Sequence, residues 1–119
     1  MKIMGVYFEN EFGKIEITND CIATIIGLSC MESYGVVGMV SKSVADGIVT
    51  LLGRENLQKG IKVMAENGIV NVDIHIIVEY GTRIPVVAEN IRERVSYAIG
   101  KYTGLKPGTI NIFVDGIRL

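Results

Sequence analysis

An Asn-Gly pair between two stretches of alternating apolar and polar residues is the feature that most limits how this chain can fold. It lies in GIKVMAENGIVNVDIHIIVEY at 60–80, where Asn67-Gly68 separates the two stretches. Asn-Gly is the strongest short hairpin signal, because both residues tolerate the positive φ of a two-residue turn. A two-residue turn at Asn67-Gly68 fixes the register of the two strands, and every inward pair in that register is apolar. A slip of one residue would exchange the two faces. The predicted pairs are Glu66 with Ile69, Ala65 with Val70, Met64 with Asn71, Val63 with Val72, Lys62 with Asp73 and Ile61 with Ile74.

Three segments show the apolar period of amphipathic helices. The first runs from a cap at Asn19 to a stop at Gly35. The second covers 43–53, and the longest opens at Pro85 and ends at Gly104. The predicted inward stripes are Ile22, Ile25, Ile26, Ser29, Cys30 and Ser33 in the first, Val44, Ile48, Leu51 and Leu52 in the second, and Ile84, Val87, Ala88, Ile91, Val95, Ala98, Ile99 and Tyr102 in the third.

Two other segments have the period of a half-buried strand. FGKIEIT at 12–18 places Ile15 and Ile17 on one side, and TINIFVDG at 109–116 places Ile110, Ile112 and Val114 inward. A strand, the long helix and another strand form a β-α-β unit, so the last strand is expected to lie parallel to the second hairpin strand. The predicted fold is α+β, a two-layer sandwich whose mixed sheet of about four strands carries two or three helices on one face.

The size and charge of the chain exclude several classes of function. With 119 residues it fits a single domain, 1–119. Its 12 Lys and Arg nearly balance its 13 Asp and Glu, so no strong field attracts nucleic acid or an anionic membrane. The longest apolar run, CIATIIGLSCM at 21–31, is about half the ~20 residues that cross a bilayer. We expect a cytoplasmic protein with no cofactor, no nucleic-acid partner and no direct membrane insertion.

The two cysteines are expected to be structural. Cys21 and Cys30 lie nine residues apart in the first helix, a rise of about 13 Å, whereas a disulfide tolerates a Cα separation of about 7 Å. Both are interpreted as small buried apolar residues.

His75, the only histidine of the chain, is the best candidate for acid–base chemistry, and it falls on the polar side of its strand. Asp73 is expected to pair with Lys62 across the hairpin, and Glu79 lies about 13 Å further along the strand. Cys21, in the helical layer, is out of reach as a nucleophile, and a metal would find at most His75 and one carboxylate. We therefore predict no catalytic residue and no metal site, and interpret His75 as a solvated or interface residue, with a weak metal or proton site as the alternative.

Gly35-Val36-Val37-Gly38 has the form of the G-x-x-G loop of KH-type RNA-binding domains. That loop joins two helices and clamps a nucleotide backbone, so basic residues are expected around it. Here both central residues are valines, which favours a helix stop followed by a turn. Gly-rich phosphate loops and C-x-x-C spacings are absent from the sequence.

The side of the sheet away from the helices carries three large apolar residues, Met64, Ile77 and Phe113. They lie among polar residues: Lys62, Asn71, Asp73, His75 and Glu79. An apolar patch with a polar rim is typical of a protein interface. We predict Met64, Ile77 and Phe113 as interface residues; the alternative is a mixed surface with isolated apolar side chains.

Five longer segments are distinctive in combination, and they extend from about residue 11 to the end of the chain. They are GKIEITNDCIATIIG at 13–27, ESYGVVGM at 32–39, LLGRENLQKGIKV at 51–63, VDIHIIVEYGTRIPVVAENIRERV at 72–95 and TGLKPGTINIFVDGIR at 103–118. Together they resemble the alkaline-shock-protein family of Gram-positive bacteria, most closely its YloU-like branch. The resemblance implies a small cytoplasmic protein linked to cell-envelope or alkaline stress, in a family whose members self-assemble or are held at the membrane by a partner. It transfers no catalytic residue onto this sequence.

Two classes of function stay open. The first is a non-enzymatic assembly or scaffolding protein linked to cell-envelope stress, which forms a homo-oligomer or binds a membrane-anchored partner and is cytoplasmic or peripheral at the membrane through that partner. The second is a small-ligand or RNA-binding module that uses the Gly35–Gly38 loop.

Overall fold

The computed structural model describes residues 5–42 and 49–119. The elements follow one another as β1 (Gly5–Asn10), β2 (Gly13–Thr18), α1 (Asn19–Met31), β3 (Val36–Lys42), β4 (Val49–Leu51), a 3₁₀ segment (Arg54–Gly60), β5 (Ile61–Glu66), β6 (Ile69–Glu79), α2 (Ile84–Ala98), a π-helical turn (Ile99–Thr103) and β7 (Lys106–Arg118). The predicted α+β class is confirmed, with a mixed sheet of five strands in the described chain and a separate two-stranded hairpin, β1–β2.

Strand β6 is the centre of the sheet. β7 pairs with it in parallel along its whole length, as the β-α-β pattern predicted. β5 pairs antiparallel with Ile69–Ile74 and β3 with Ile76–Val78, so β5 and β3 share the edge of β6 opposite β7. β4 extends the sheet beyond β3.

The predicted hairpin register is confirmed. All six pairs of β5 and β6 occur as expected, Lys62 with Asp73 and Val63 with Val72 among them. Asn67 and Gly68 have φ angles of 52° and 77°, the left-handed conformation that a two-residue hairpin turn requires. The turn chemistry and the apolar alternation therefore select the same pairing.

The core lies between the sheet and the two α-helices. Five alternate residues of β6 are fully buried: Val70, Val72, Ile74, Ile76 and Val78. α1 contributes Ile22, Ile26 and Cys30 to the same cluster, and α2 with the following turn contributes Val87, Ile91, Val95 and Ile99. Burial in this apolar core raises the pKa of the Cys30 thiol to about 12. No helix in the described ranges, 5–42 and 49–119, is long and apolar enough to cross a membrane.

Some residues of the predicted stripes lie outside this core. Ile84 and Tyr102, at the two ends of the long helical segment, are 38% and 63% exposed, because the core side of that helix ends one turn inside each of them. Ile15 is 66% exposed, because β2 pairs with β1 in a hairpin that does not join the main sheet. Cys21 is exposed, one position away from the buried stripe that begins at Ile22.

The predicted helix at 43–53 is wrong where it can be compared. Val49–Leu51 forms strand β4, which pairs antiparallel with β3, and Arg54 begins a 3₁₀ segment. Val44 and Ile48 of its predicted stripe lie outside the described residues. Over so short a stretch, apolar residues spaced three and four apart do not distinguish a helix from a short strand.

The boundaries of α1 differ slightly from the predicted ones. Thr18, not Asn19, caps the helix: its Oγ1 accepts the Cys21 N–H at 3.1 Å. The helix ends at Met31, and Gly35 lies in the turn that follows, with a φ of 83°.

Candidate interaction surface on the open sheet face

The face of the sheet away from the helices is built from the alternate residues of β6 that do not enter the core. These half-buried residues are Asn71, Asp73, His75, Ile77 and Glu79. On either side of them, β5 presents Lys62 and Met64, and β7 presents Asn111 and Phe113.

His75 is paired with a carboxylate that lies on β7. Its Nδ1 is 2.7 Å from Oδ2 of Asp115, and the two side chains are only 29% and 15% exposed. Asp115 is the extra residue of a β-bulge, since Ile76 pairs with Val114 and Ile77 already pairs with Gly116. A bulge re-aims side chains on its strand, and here it places Asp115 beside His75.

Phe113 covers the other side of the imidazole. Its ring stacks on His75 with centroids 4.7 Å apart and an interplanar angle of 13°. Phe113 is the direct register partner of His75 and is 44% exposed. The exposed part of the Phe113 ring therefore presents a flat apolar surface to solvent.

The chemistry available to this pair is limited. In neutral His75 the Nδ1–H donates to Asp115, which leaves Nε2 as the acceptor. A histidine held by a carboxylate is two thirds of a nucleophilic triad, but such a triad also requires a nucleophile within hydrogen-bond reach. Within the parts of the chain that are described, no group of three or more His, Cys, Asp and Glu side chains is placed to hold a metal ion.

Asp73 makes a different contact from the predicted one. Lys62 is its register partner, as expected, but its carboxylate accepts a hydrogen bond from Asn111 Nδ2 at 2.9 Å. β7 has another bulge just before Ile110, between the residues that pair with Val70 and Val72. There Asn71 Oδ1 accepts the Thr109 N–H at 2.7 Å. These side-chain bridges tie β7 to β6 on the open face.

Two of the three predicted interface residues are close together. Ile77 lies over Gly116, where an added Cβ would be 3.5 Å from Ile77 Cγ1, and it follows the His75–Phe113 stack on β6. Met64, 40% exposed, faces Asn71, four residues and therefore about 13 Å along β6 from His75. On the open face Phe113 and Ile77 are therefore diagonal neighbours across the β6–β7 pair, and Met64 is a separate contact point. We call these three residues the sheet-face patch.

The Gly35–Gly38 segment does not form a KH-type loop. Val36 begins β3, so the segment joins a helix to a strand instead of two helices. Gly35, Val36 and Val37 of the segment line a surface cleft of about 520 Å³. Tyr34, Tyr80 and Arg118 also line it. Arg118 Nη2 is 2.5 Å from Glu79 Oε2 at this end of the sheet, so its guanidinium is already engaged by a carboxylate.

The described residues form a small α+β protein whose sheet has one face open to solvent, and comparison with known proteins shows its family. The chain belongs to the alkaline-shock-protein family, described as having a cell envelope-related function; the family model matches residues 7–119. The resemblance found in the sequence is thereby confirmed.

The relatives point in the same direction. The YloU protein of Bacillus subtilis (strain 168) is 37% identical over 117 residues, which cover 98% of this chain and 98% of that protein. Spy1614 of Streptococcus pyogenes serotype M6 is 38% identical over 98% of this chain and 97% of its own length. A stress response regulator gls24 homolog of Streptococcus pyogenes serotype M3 is 24% identical over 89% of this chain, which corresponds to 59% of that longer protein. No solved structure matches the chain significantly.

Proposed function

We propose that this protein is a non-enzymatic assembly or scaffolding component of the cell-envelope stress response, which acts by associating with itself or with a membrane-anchored partner. It works in the cytoplasm or at the membrane surface through that partner, without inserting into the bilayer or binding nucleic acid. The proposal is supported by the family and by the relative whose name describes a stress response regulator.

The observation that carries the proposal is the sheet-face patch. Phe113 is 44% exposed and already stacked on His75, so its ring is held in place before any partner arrives. Ile77 is half-buried two residues along β6 from His75 and lies over Gly116. Pre-ordered side chains lose little conformational entropy on binding. Burial of one Phe or Ile side chain contributes roughly 1.5–3 kcal/mol, so two such anchors and Met64 can hold a specific contact.

The polar groups around the patch suit a reversible interface. Asp73, Asn111 and the His75–Asp115 pair already have hydrogen-bond partners within the chain. A partner that covers them leaves few polar groups unsatisfied, which keeps the cost of desolvation low. A polar rim around an apolar centre is the usual arrangement of a non-obligate interface.

The test is the double variant Ile77→Asp/Phe113→Asp, with Val86→Asp as control. Val86 is 43% exposed on α2, close to the exposure of Phe113, and lies outside the sheet. We expect the wild type and the control to show a mass above that of the monomer in light scattering, or to co-purify with a membrane-anchored protein. The double variant should lose whichever of these two properties the wild type shows. A wild type that is monomeric, and a double variant that keeps every partner, would remove the sheet face from the proposal.

The second candidate function, a small-ligand or RNA-binding module, is favoured by one observation, the cleft beside Gly35. Its volume of about 520 Å³ and its two tyrosines, Tyr34 and Tyr80, suit a small planar ligand. Titration with a labelled single-stranded RNA and with a panel of nucleotides tests it. Saturable binding that Tyr80→Ala abolishes would favour this function, and the absence of binding would leave assembly as the function.

A further inference from the structure

Strand β7 forms an outer edge of the five-stranded sheet. Among the described strands it pairs with β6 alone, and its 13 residues, Lys106–Arg118, make it the longest of them. The N–H and C=O groups on the outer side of an edge strand are a template for pairing with another chain.

The direction of these backbone groups follows from the two ends of β7. The Lys106 N–H donates to Gly68 O at 2.9 Å, and the Tyr80 N–H donates to Arg118 O at 2.9 Å, so Lys106 and Arg118 direct their backbone groups toward β6. Successive strand residues direct these groups to alternate sides, and each of the two bulges adds one residue to the count. Counted from either end, the same residues between the bulges therefore face away from β6.

The outward residues are Ile110, Ile112 and Val114, whereas Asn111 and Phe113 bond to β6. All five lie between the two bulges, in the longest stretch of regular pairing that β7 has. Ile112 and Val114 are half-buried and pack on the core from the side of β6. A strand added to this edge would cover their outer side as well.

The centre of this edge lacks the usual protection against pairing. Natural sheets protect an edge with charged residues and proline, and β7 has Lys106 and Pro107 before its first bulge. Strand β5 also pairs with β6 alone, and it carries the exposed residues Lys62 and Glu66. In contrast, INIFV at 110–114 contains no charged residue and no proline.

The connections of the chain do not lead to this edge. Segment 43–48 joins Lys42 and Val49, which are register partners on the other side of β6. Six residues with paired ends reach roughly 10 Å, whereas the outer side of β7 is three strand spacings, about 14 Å, from β3. Gly5 lies opposite Thr18, directly before α1, and the chief neighbours of β7 are β6, α2 and the π-helical turn.

A second copy of the same stretch complements this edge. If two copies lie antiparallel with Ile112 opposite itself, Ile110 faces Val114 of the second copy and Asn111 faces its Phe113. All the outward residues then form hydrogen-bonded pairs, and each pair exchanges both of its N–H···O bonds. Isoleucine and valine meet only each other on the core side, and no like charges are opposed. No other antiparallel register pairs the whole stretch with itself.

We infer that two copies of this chain pair through Ile110–Val114 of β7, antiparallel about a two-fold axis at Ile112, which joins two five-stranded sheets into one. This inference rests on the proposed self-association and assigns it to the sheet edge. The contact uses the same edge of both copies, so the assembly closes as a dimer, and its small size makes it reversible. The axis is perpendicular to the sheet. The two sheet-face patches therefore lie on the same side of the dimer, where both can meet a membrane-anchored partner.

Cysteine cross-linking tests the position of the axis. The background is Cys21→Ser, which removes the exposed thiol and leaves the fully buried Cys30. Ile112→Cys places two thiols across the axis, where opposed Cα atoms are about 5.5 Å apart, within the range of a disulfide. Ile117→Cys is the matched control, because Ile117 is 50% exposed on the same strand but five residues from the axis, which separates the two copies of it by about 30 Å.

We expect oxidised glutathione to convert Ile112→Cys to a linked dimer that dithiothreitol reverses, and to leave Ile117→Cys unlinked. A second variant, Ile112→Pro, removes the outward N–H and keeps the bonds of Asn111 and Phe113 to β6. It should weaken dimerisation in sedimentation roughly tenfold or more, whereas Ile112→Val, which keeps the N–H, should leave it nearly unchanged. Far-UV circular dichroism checks that each variant is folded, and cross-linking decides alone if Ile112→Pro is not.

Three results would overturn the inference. If the wild type associates but Ile112→Cys is linked no better than Ile117→Cys, the edge is not the contact and the sheet-face proposal stands alone. If the wild type is monomeric at every concentration yet co-purifies with a membrane-anchored protein, the pairing fails while the proposed function remains. An Ile112 amide that is equally protected from exchange in dilute and in concentrated protein would show that the edge is covered within one copy.

Discussion

The hairpin β5–β6 lies inside a five-stranded sheet, whereas the hairpin β1–β2 forms a sheet of only two strands. In both hairpins apolar and polar residues alternate, and in both the register brings apolar residues opposite each other. Val72 and Ile74 of the first are fully buried, while Phe8 and Ile15 of the second are about half exposed or more. Alternation therefore specifies that a segment is a strand, but burial depends on whether a second layer covers its apolar side.

The difference also separates structural from functional surface. The inward side of β6 is complete within the chain, because α1 and α2 cover it. Among the described residues no second layer covers Phe8 and Ile15 of the β1–β2 hairpin, which are 46% and 66% exposed. Three predictions probe this contrast, in order of the effect expected.

The largest difference is expected in hydrogen exchange. Amides of β6 should exchange only through global unfolding, which costs about 5–15 kcal/mol in a domain of ordinary stability. Amides of β1 should exchange through local opening at a free energy near zero. Exchange followed by NMR in dilute protein, where copies are apart, measures both. Similar protection in the two hairpins would show that β1–β2 is supported within a single copy.

A smaller difference is expected between two matched isoleucine deletions. Ile74→Ala removes a fully buried side chain and should lower the free energy of unfolding by about 2–5 kcal/mol. Ile15→Ala, at a position 66% exposed, should change it by less than about 0.5 kcal/mol. Urea denaturation of both variants at low protein concentration gives the two values. A loss at Ile15 comparable to that at Ile74 would show that the β1–β2 hairpin packs as tightly as the core.

The smallest effect is expected on the outward side of β6. His75→Ala removes the stack on Phe113 and the hydrogen bond to the partly buried Asp115, and should cost about 1–2 kcal/mol, because the carboxylate loses its partner within the chain. Thermal denaturation and metal analysis of the purified protein are the measurements. A loss several times larger, or a stoichiometric metal that disappears with the imidazole, would overturn the interpretation of His75 as a surface residue.

The sequence predicts the β5–β6 hairpin in full because its information is local. The Asn67-Gly68 turn determines which residues meet, and the alternation determines which side is buried. The core faces of α1 and α2 follow equally from the apolar period, apart from their ends, where Ile84 and Tyr102 extend past the sheet.

The partner of His75 is not predictable in the same way. Asp115 is on the outward side of the last strand, but β6 and β7 are joined by a helical crossover that does not determine their register. The bulge at Asp115 shifts the pairing by one further residue. The available signal was an outward carboxylate next to a glycine, Asp115-Gly116, near the end of a strand, where bulges are common.

The β1–β2 hairpin was not predicted for a related reason. The FGKIEIT pattern predicts β2 correctly, but nothing in it specifies that its partner is the preceding segment rather than the main sheet. The helix predicted at 43–53 was wrong because its short apolar spacing fits the strand β4 as well.

The two bulges of β7 affect how readily the edge of the sheet can pair with strands from other chains. Among the described strands, β7 pairs with β6 alone, so its other side is an edge. A long regular edge is a template for the unlimited addition of strands from other chains, which leads to fibrils. The extra residues before Ile110 and after Val114 divide the pairing into short regular stretches, of which Ile110–Val114 is the longest. An incoming strand would find a ladder interrupted at two places, which disfavours the repeated addition of strands along this edge.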